Sequence, residues 1–342
     1  MKFDKDMTQV VKGVAIIFMM LLHCFGVDGN YDVPVDTSHA PFIHFNSTFK
    51  LCVGIFTFMV GYGYAFSKTK DLRYSLQHIK KLLIPFWTIL FVFTIPFCYR
   101  EFWASGWPTM LKNLIGVDST FNWYSWFVYF FIYAMAVLPF ISRFVDRRPL
   151  RNAAIVIVAA YLIEVAVHAI PGALDEGSFH YALFNCLLMT PGMTVGYLFA
   201  HERYFERIEV KSQPKAAVVT LSLLLIVAVL AVRYFGHNVL GFNFDFVYAA
   251  LTIGAIVVIF NTVEAKWIRK VLQALGKVSV YMWFFHALFF TKAVRWFYQP
   301  AITIFDDLNL IVLWAIALTF AASWLIKIAV DFVILKTTNS TN

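Results

Sequence analysis

Ionisable side chains inside long apolar runs are costly in a membrane, so each one marks a place where chemistry can occur. Two of them, Lys12 and His23, stand eleven residues apart in the first apolar run. At roughly 100° per residue that spacing returns to within about 20° of three full turns, and it covers about 16 Å of helix axis. The two side chains therefore share one helix face, a cation at one level and a group that titrates near neutral pH at another. Position alone fits two plainer roles equally well, a lysine snorkelling to the interface and a histidine hydrogen-bonded within a bundle. Glu164 and His168 form a second pair, four apart on one helix face. They could orient one another or relay a proton, or simply link two helices. Lys327 and Asp331, also four apart, read as an interfacial ion pair. Cys24, Cys52, Cys98 and Cys186 lie in or beside apolar runs without metal-ligand spacing. They read as small buried hydrophobes, and no metal is expected.

The elements that must hold these groups follow from composition. The chain has 342 residues, 61% hydrophobic and 14% charged, whereas an average soluble domain is about 25% charged. Those values exclude a soluble globular protein, a disordered chain and a disulfide scaffold. Apolar runs fall at about 10–27, 48–67, 82–98, 123–141, 152–170, 182–200, 216–234, 246–262, 278–297 and 310–335, each near the roughly 20 residues that span hydrocarbon. They are long and do not alternate, which favours helices over barrel strands. The first run lacks a small-residue cleavage site and reads as a retained helix. The expected fold class is all-α: one polytopic integral-membrane domain over 1–342, with about ten transmembrane helices.

The positive charges then set the expected orientation. Of 28 Lys and Arg, 20 fall at the termini or in even-numbered loops, two (Arg100 and Lys112) in odd-numbered loops, and six within or at the ends of helices. Such asymmetry predicts both termini in the cytoplasm and a multi-pass protein of the cell membrane. The net charge of +8 is then a topology signal, and no nucleic-acid partner is expected. The opposite loops carry acids and histidines, with an aromatic segment at 99–114 that suits an interfacial helix (Phe102, Trp103, Trp107).

Five stretches, in order, carry a resemblance to a known family. They are Lys12 through His23; the Phe-rich stretch with Phe56, Phe58, Gly61 and Tyr62; Lys80-Lys81 ahead of Pro85; Trp126 through Pro139; and Leu275-Gly276 followed by Ser279, Tyr281 and His286. Together they resemble the motifs of the membrane acyltransferase-3 family. Lys12 stands where that family usually has arginine, and Val60 where it usually has serine. The resemblance implies an integral-membrane O-acyltransferase. It would move an acetyl or other short acyl group from cytoplasmic acyl-CoA to a hydroxyl, commonly of a carbohydrate or glycoconjugate. On that reading Lys12, Lys80 and Lys81 would hold the CoA phosphates by charge-assisted bonds. The pantetheine arm would run along the helix toward His23. That histidine, with an ordinary pKa of about 6.5, would be general base to the acceptor hydroxyl; a transient acyl-histidine is the alternative. Ser279, Tyr281 and His286 would be candidates for the oxyanion, and Glu164 and His168 for orienting or relaying. Lys292 and Arg295 would contact an anionic acceptor or anchor the interface. Acyl-CoA, membrane lipid and a carbohydrate acceptor are the expected partners. The competing function is a secondary transporter or flippase for a small polar or glycolipid solute. Pro191, Gly192 and Gly196 interrupt one run, but no matching break stands in the other half.

Overall fold

A computed structural model describes the chain except for residues 27–28, 68, 171, 173–174, 210–212, 241–243 and 340–342, together with the side chains at 237–240 and 336–339. Helix α1 (Lys5–Cys24) is followed by a 3₁₀ segment at Pro41–Lys50, then α2 (Leu51–Ala65) and α3 (Leu72–Thr88). Two short helices, α4 (Tyr99–Ala104) and α5 (Gly106–Leu114), precede α6 (Trp126–Val145), α7 (Pro149–His168) and α8 (Phe179–His201). The chain continues through α9 (Lys215–Leu240), α10 (Asp245–Thr262), α11 (Lys266–His286), the single turn α12 (Arg295–Tyr298) and α13 (Leu308–Asn339). No strand occurs among the described residues. Short polar side chains start several of these helices by accepting an orphan amide: Asp4 from Met7, Asp71 from Tyr74 and Ser178 from Tyr181.

Among the described residues nine helical stretches are long and apolar enough to cross a membrane, so the chain is an all-α polytopic membrane protein. Helix α11 is not one of the nine, because Lys266, Arg269, Lys270 and Lys277 charge its first half. It nevertheless runs through the bundle beside α1. The apolar run at 278–297 is not a single helix. It divides at His286 into the end of α11, a 3₁₀ turn at Ala287–Phe289 and α12. Ala287, Leu288, Phe289 and Phe290 are all buried, so the run is apolar because it is core, not because it is one span. Helix α3 likewise ends in a π turn (Ile89–Thr94) and a 3₁₀ turn at Ile95–Phe97, where Pro96 supplies no amide.

The connections collect at two ends. The N-terminal ammonium donates to the Glu206 and Ile208 carbonyls, Lys2 and Asn261 exchange hydrogen bonds, and Lys70 pairs with Asp146. At the opposite end the Asp36 amide donates to Asp306, Gln299 holds Asn30, and Arg233 donates to the Ser47 carbonyl. The basic loops belong to the N-terminal end. Lys50, Arg233, Lys292 and Arg295 lie at the other, which raises the positive charges there from two to six. Lys68, Lys211 and the Lys336 side chain are outside the described residues. The two short helices of the aromatic segment leave Trp103 and Trp107 exposed.

Small residues let the central helices touch backbone to backbone. A Cβ on Gly13 would lie 2.1 Å from the Leu272 carbonyl oxygen, and one on Gly276 would lie 2.0 Å from that of Gln9. Helices α2 and α8 cross the same way, with Gly61 against Met193 (1.8 Å) and Gly196 against Phe58 (2.0 Å). Ten residues on from Gly13 stands His23, and ten residues on from Gly276 stands His286.

Candidate active site

His23 occupies the last turn of α1, where carbonyls lack intrahelical donors. Asn30 supplies one, its Nδ2 donating to the His23 carbonyl at 3.0 Å, and the Tyr31 hydroxyl donates to Cys24 at 2.8 Å. The capping loop is itself clamped. Gln299 donates to the Asn30 carbonyl (2.6 Å) and accepts from the Asp32 amide (2.7 Å). Arg295 pairs with Asp32 (2.5 Å) and donates to the Gly29 carbonyl (2.7 Å). The structure thus spends Arg295 on the loop that caps α1.

Three rings meet above that turn. The His23 ring centroid lies 3.8 Å from that of Tyr124 and 5.2 Å from that of His286. Tyr124 stacks on His286 at 4.8 Å and 11°, and Trp123 stacks on Tyr124 at 5.9 Å and 2°. Residues 122–124 are pinned to α11 and the segment after it. Asn122 donates to the Phe284 carbonyl, the Trp123 amide to the Thr291 hydroxyl, and Trp283 Nε1 to the Tyr124 carbonyl. His286 is fully buried, and its Nδ1 donates to the Met282 carbonyl at 3.1 Å. The neutral ring therefore presents an unprotonated Nε2, which has no partner among the described residues.

His23 and Tyr124 line a cavity of about 300 Å³ at the end of the bundle where α1 finishes. Its walls include Trp126, Tyr181 and Trp283, and three charged side chains reach it: Lys50, Glu176 and Asp245. Asp245 is held by a buried arginine. Arg233, 1% exposed, forks onto the carboxylate at 2.7 and 3.1 Å and donates to the Ser47 carbonyl at 2.5 Å. A bidentate pair of this kind fixes the carboxylate in direction as well as in charge. Gly54 permits the approach, since a Cβ there would lie 2.9 Å from the Asp245 carbonyl oxygen.

The other residues singled out by sequence fall in different places. Lys12 is half-buried on the face of α1 that carries His23, without an ion-pair partner among the described residues, but it does not line the cavity. Ile16 and Met19, at the intervening positions of the same stripe, are fully buried between the two. Lys80 and Lys81 are exposed on α3, at the basic end. Of Ser279, Tyr281 and His286, all buried on α11, only His286 reaches the ring cluster. Glu164 and His168 lie on α7 away from the cavity, whereas Tyr161, one turn earlier, lines it. Lys327 and Asp331 do pair on α13. All four cysteines are free and buried, and no cluster of metal-ligating side chains occurs among the described residues.

Tyr124, Asp245 and Arg233 escaped the sequence reading. The dense aromatic run Trp123-Tyr124-Ser125-Trp126 was the available signal for the first. For the pair, the signal was a lone arginine late in one apolar run with an aspartate opening the next. Chemically, the site offers an imidazole whose ring nitrogens are not taken by any described side chain. It stands at the wall of an aromatic cavity with polar groups of both signs. Such a group can take a proton from a bound hydroxyl.

A comparison with protein families matches residues 9–328, nearly the whole chain, to the acyltransferase-3 model, described as an acyltransferase domain. No curated protein and no solved structure matches the chain. The chain belongs to the acyltransferase-3 family and is a membrane acyltransferase.

Proposed function

We propose that this acyltransferase moves an acetyl or other short acyl group from acyl-CoA to a hydroxyl of a carbohydrate or glycoconjugate, with His23 as general base. The observation that carries the reading is the position of His23. It lines the cavity at one end of the bundle and shares its helix face with a cation toward the other, basic end. The donor phosphates would be held there by Lys12, Lys80 and Lys81. The positive-inside rule makes that end cytoplasmic, with both termini on it, in the cell membrane.

The acceptor hydroxyl would enter the cavity and give its proton to His23. Its oxygen would attack the thioester carbonyl, the C–S bond would break, and the thiolate would leave with the proton held by His23. The Met282 carbonyl leaves His286 with Nε2 as an acceptor, so the donor to the oxyanion is better sought in the hydroxyl of Tyr124, whose ring packs against His23. Ile16 and Met19 fill the stripe between Lys12 and His23. The pantetheine arm must displace them, and an unbranched methionine is suited to moving.

The test uses purified protein in detergent with labelled acetyl-CoA and a sugar panel. His23→Ala should lower transfer by at least about 10²-fold, the scale of a general base, with the same yield of folded protein. Lys12→Ala should raise the apparent KM for acetyl-CoA, and Lys12→Arg should restore it. Full transfer by His23→Ala would remove the base assignment, and an unchanged donor KM in Lys12→Ala would remove the phosphate role.

A further inference from the structure

A second cavity, of about 280 Å³, lies against the first on the loop side. The two share Ser119, Trp123, Glu176 and Gly177 as a common wall. Gly177 makes the waist tight. It has φ +77°, and a Cβ on it would lie 2.9 Å from Asp118 Oδ2, so a larger residue would be strained and would meet the carboxylate.

The outer cavity is polar in a particular way. Asp118 and Glu176 offer carboxylate oxygens, Thr120 a hydroxyl and Lys292 an ammonium. None of the three charged groups is closed into an ion pair among the described residues. Asp118 Oδ1 already orders the loop by accepting from the Thr120 amide (2.9 Å) and hydroxyl (2.5 Å). Trp123, 39% exposed, faces both cavities and is held flat by its stack on Tyr124. Acceptors and donors of both signs around one indole face suit a neutral polyol. Its hydroxyl edge takes the hydrogen bonds, and its C–H face lies on the ring. A strongly anionic or cationic ligand would leave one of the opposed charges uncompensated.

We propose that the outer cavity is a second acceptor subsite, which holds the sugar unit next to the one acylated, with Trp123 as its platform. The acceptor is then an oligosaccharide or glycan chain and not a single sugar. This rests on the acyl-transfer reading above and goes further by naming the length of the acceptor and the residues that read it.

The experiment compares methyl glycosides of common hexoses with the matching di- and trisaccharides, using labelled acetyl-CoA and purified full-length protein. Wild type should favour the disaccharide over the monosaccharide by about tenfold in kcat/KM, the scale of one or two good hydrogen bonds. That ratio should fall toward one in Trp123→Ala and in Lys292→Ala, and Trp123→Phe should keep most of it. Lys292→Ala covers the case in which Trp123→Ala loosens Tyr124, because it leaves the stack of Trp123 on Tyr124 in place. Transfer to mono- and disaccharides alike in wild type overturns the subsite and leaves the acyl-transfer reading standing. So does a ratio that survives both alanine variants. Absence of transfer to sugars of every length overturns both.

Discussion

Two histidines stand within one ring cluster, and the atoms around them divide their roles. His286 has one nitrogen committed to a carbonyl and the other buried without a partner among the described residues, while His23 faces the cavity. The pairing of Lys12 with His23 on one face was legible because it is a matter of helix arithmetic within twelve residues. Tyr124, which packs against both histidines, was not, since it reaches His23 only through tertiary packing across a hundred residues of chain. The same holds for Arg233 and Asp245, whose meaning depends on a fork that no spacing rule encodes. That pair gives a prediction at this scale. Arg233→Ala should destabilise the protein by about 3–5 kcal/mol, because it leaves a largely buried carboxylate without its counter-ion. The double variant Arg233→Leu with Asp245→Leu should cost less than the sum of the two single changes. Thermal unfolding in detergent measures the cycle, and strictly additive losses would mean that the pair does not act as a unit.

Glycine lets the helices that carry the two histidines touch backbone to backbone. Gly13 and Gly276 place α1 and α11 in backbone contact, and the same ten-residue step carries each helix up to its histidine. Gly276→Ala should therefore push the helices apart, since the new Cβ would sit 2.0 Å from a backbone carbonyl oxygen that cannot rotate away. A loss of about 1–3 kcal/mol is expected from such overpacking, with a fall in acyl transfer. Gly63, also helical, has nothing within 4 Å of its would-be Cβ. Gly63→Ala should be neutral or stabilise by up to about 1 kcal/mol. Equal effects of the two substitutions would show that the crossing does not position the site. Element boundaries were the less legible part of the fold. The stretch 278–297 looked like one helix because hydropathy reports burial, and buried turns such as Ala287–Phe289 are as apolar as a span. Conversely, α11 begins among lysines and an arginine, so its first half carried no apolar signal although it packs beside α1.

At the scale of the molecule, charge and chemistry separate along one axis. Most lysines and arginines belong to loops at the N-terminal end, while His23 and the joined cavities occupy the other. This polarity was visible in the sequence, because loop charge needs only the count of helices to be read. The cavities were not, since they form where residues from several distant segments meet. A one-face enzyme would not need this separation. On the proposed reading, an acyltransferase that takes its donor from one compartment and serves an acceptor in the other would, with the two meeting at His23. The most direct test is therefore of sidedness. The protein is reconstituted in vesicles in one orientation, with labelled acetyl-CoA only on the side of the termini and an oligosaccharide acceptor only on the other. The account predicts labelled acceptor with wild type and none above background with His23→Ala at equal folded protein. Label that appears only when donor and acceptor share a side, or full labelling by His23→Ala, would contradict it.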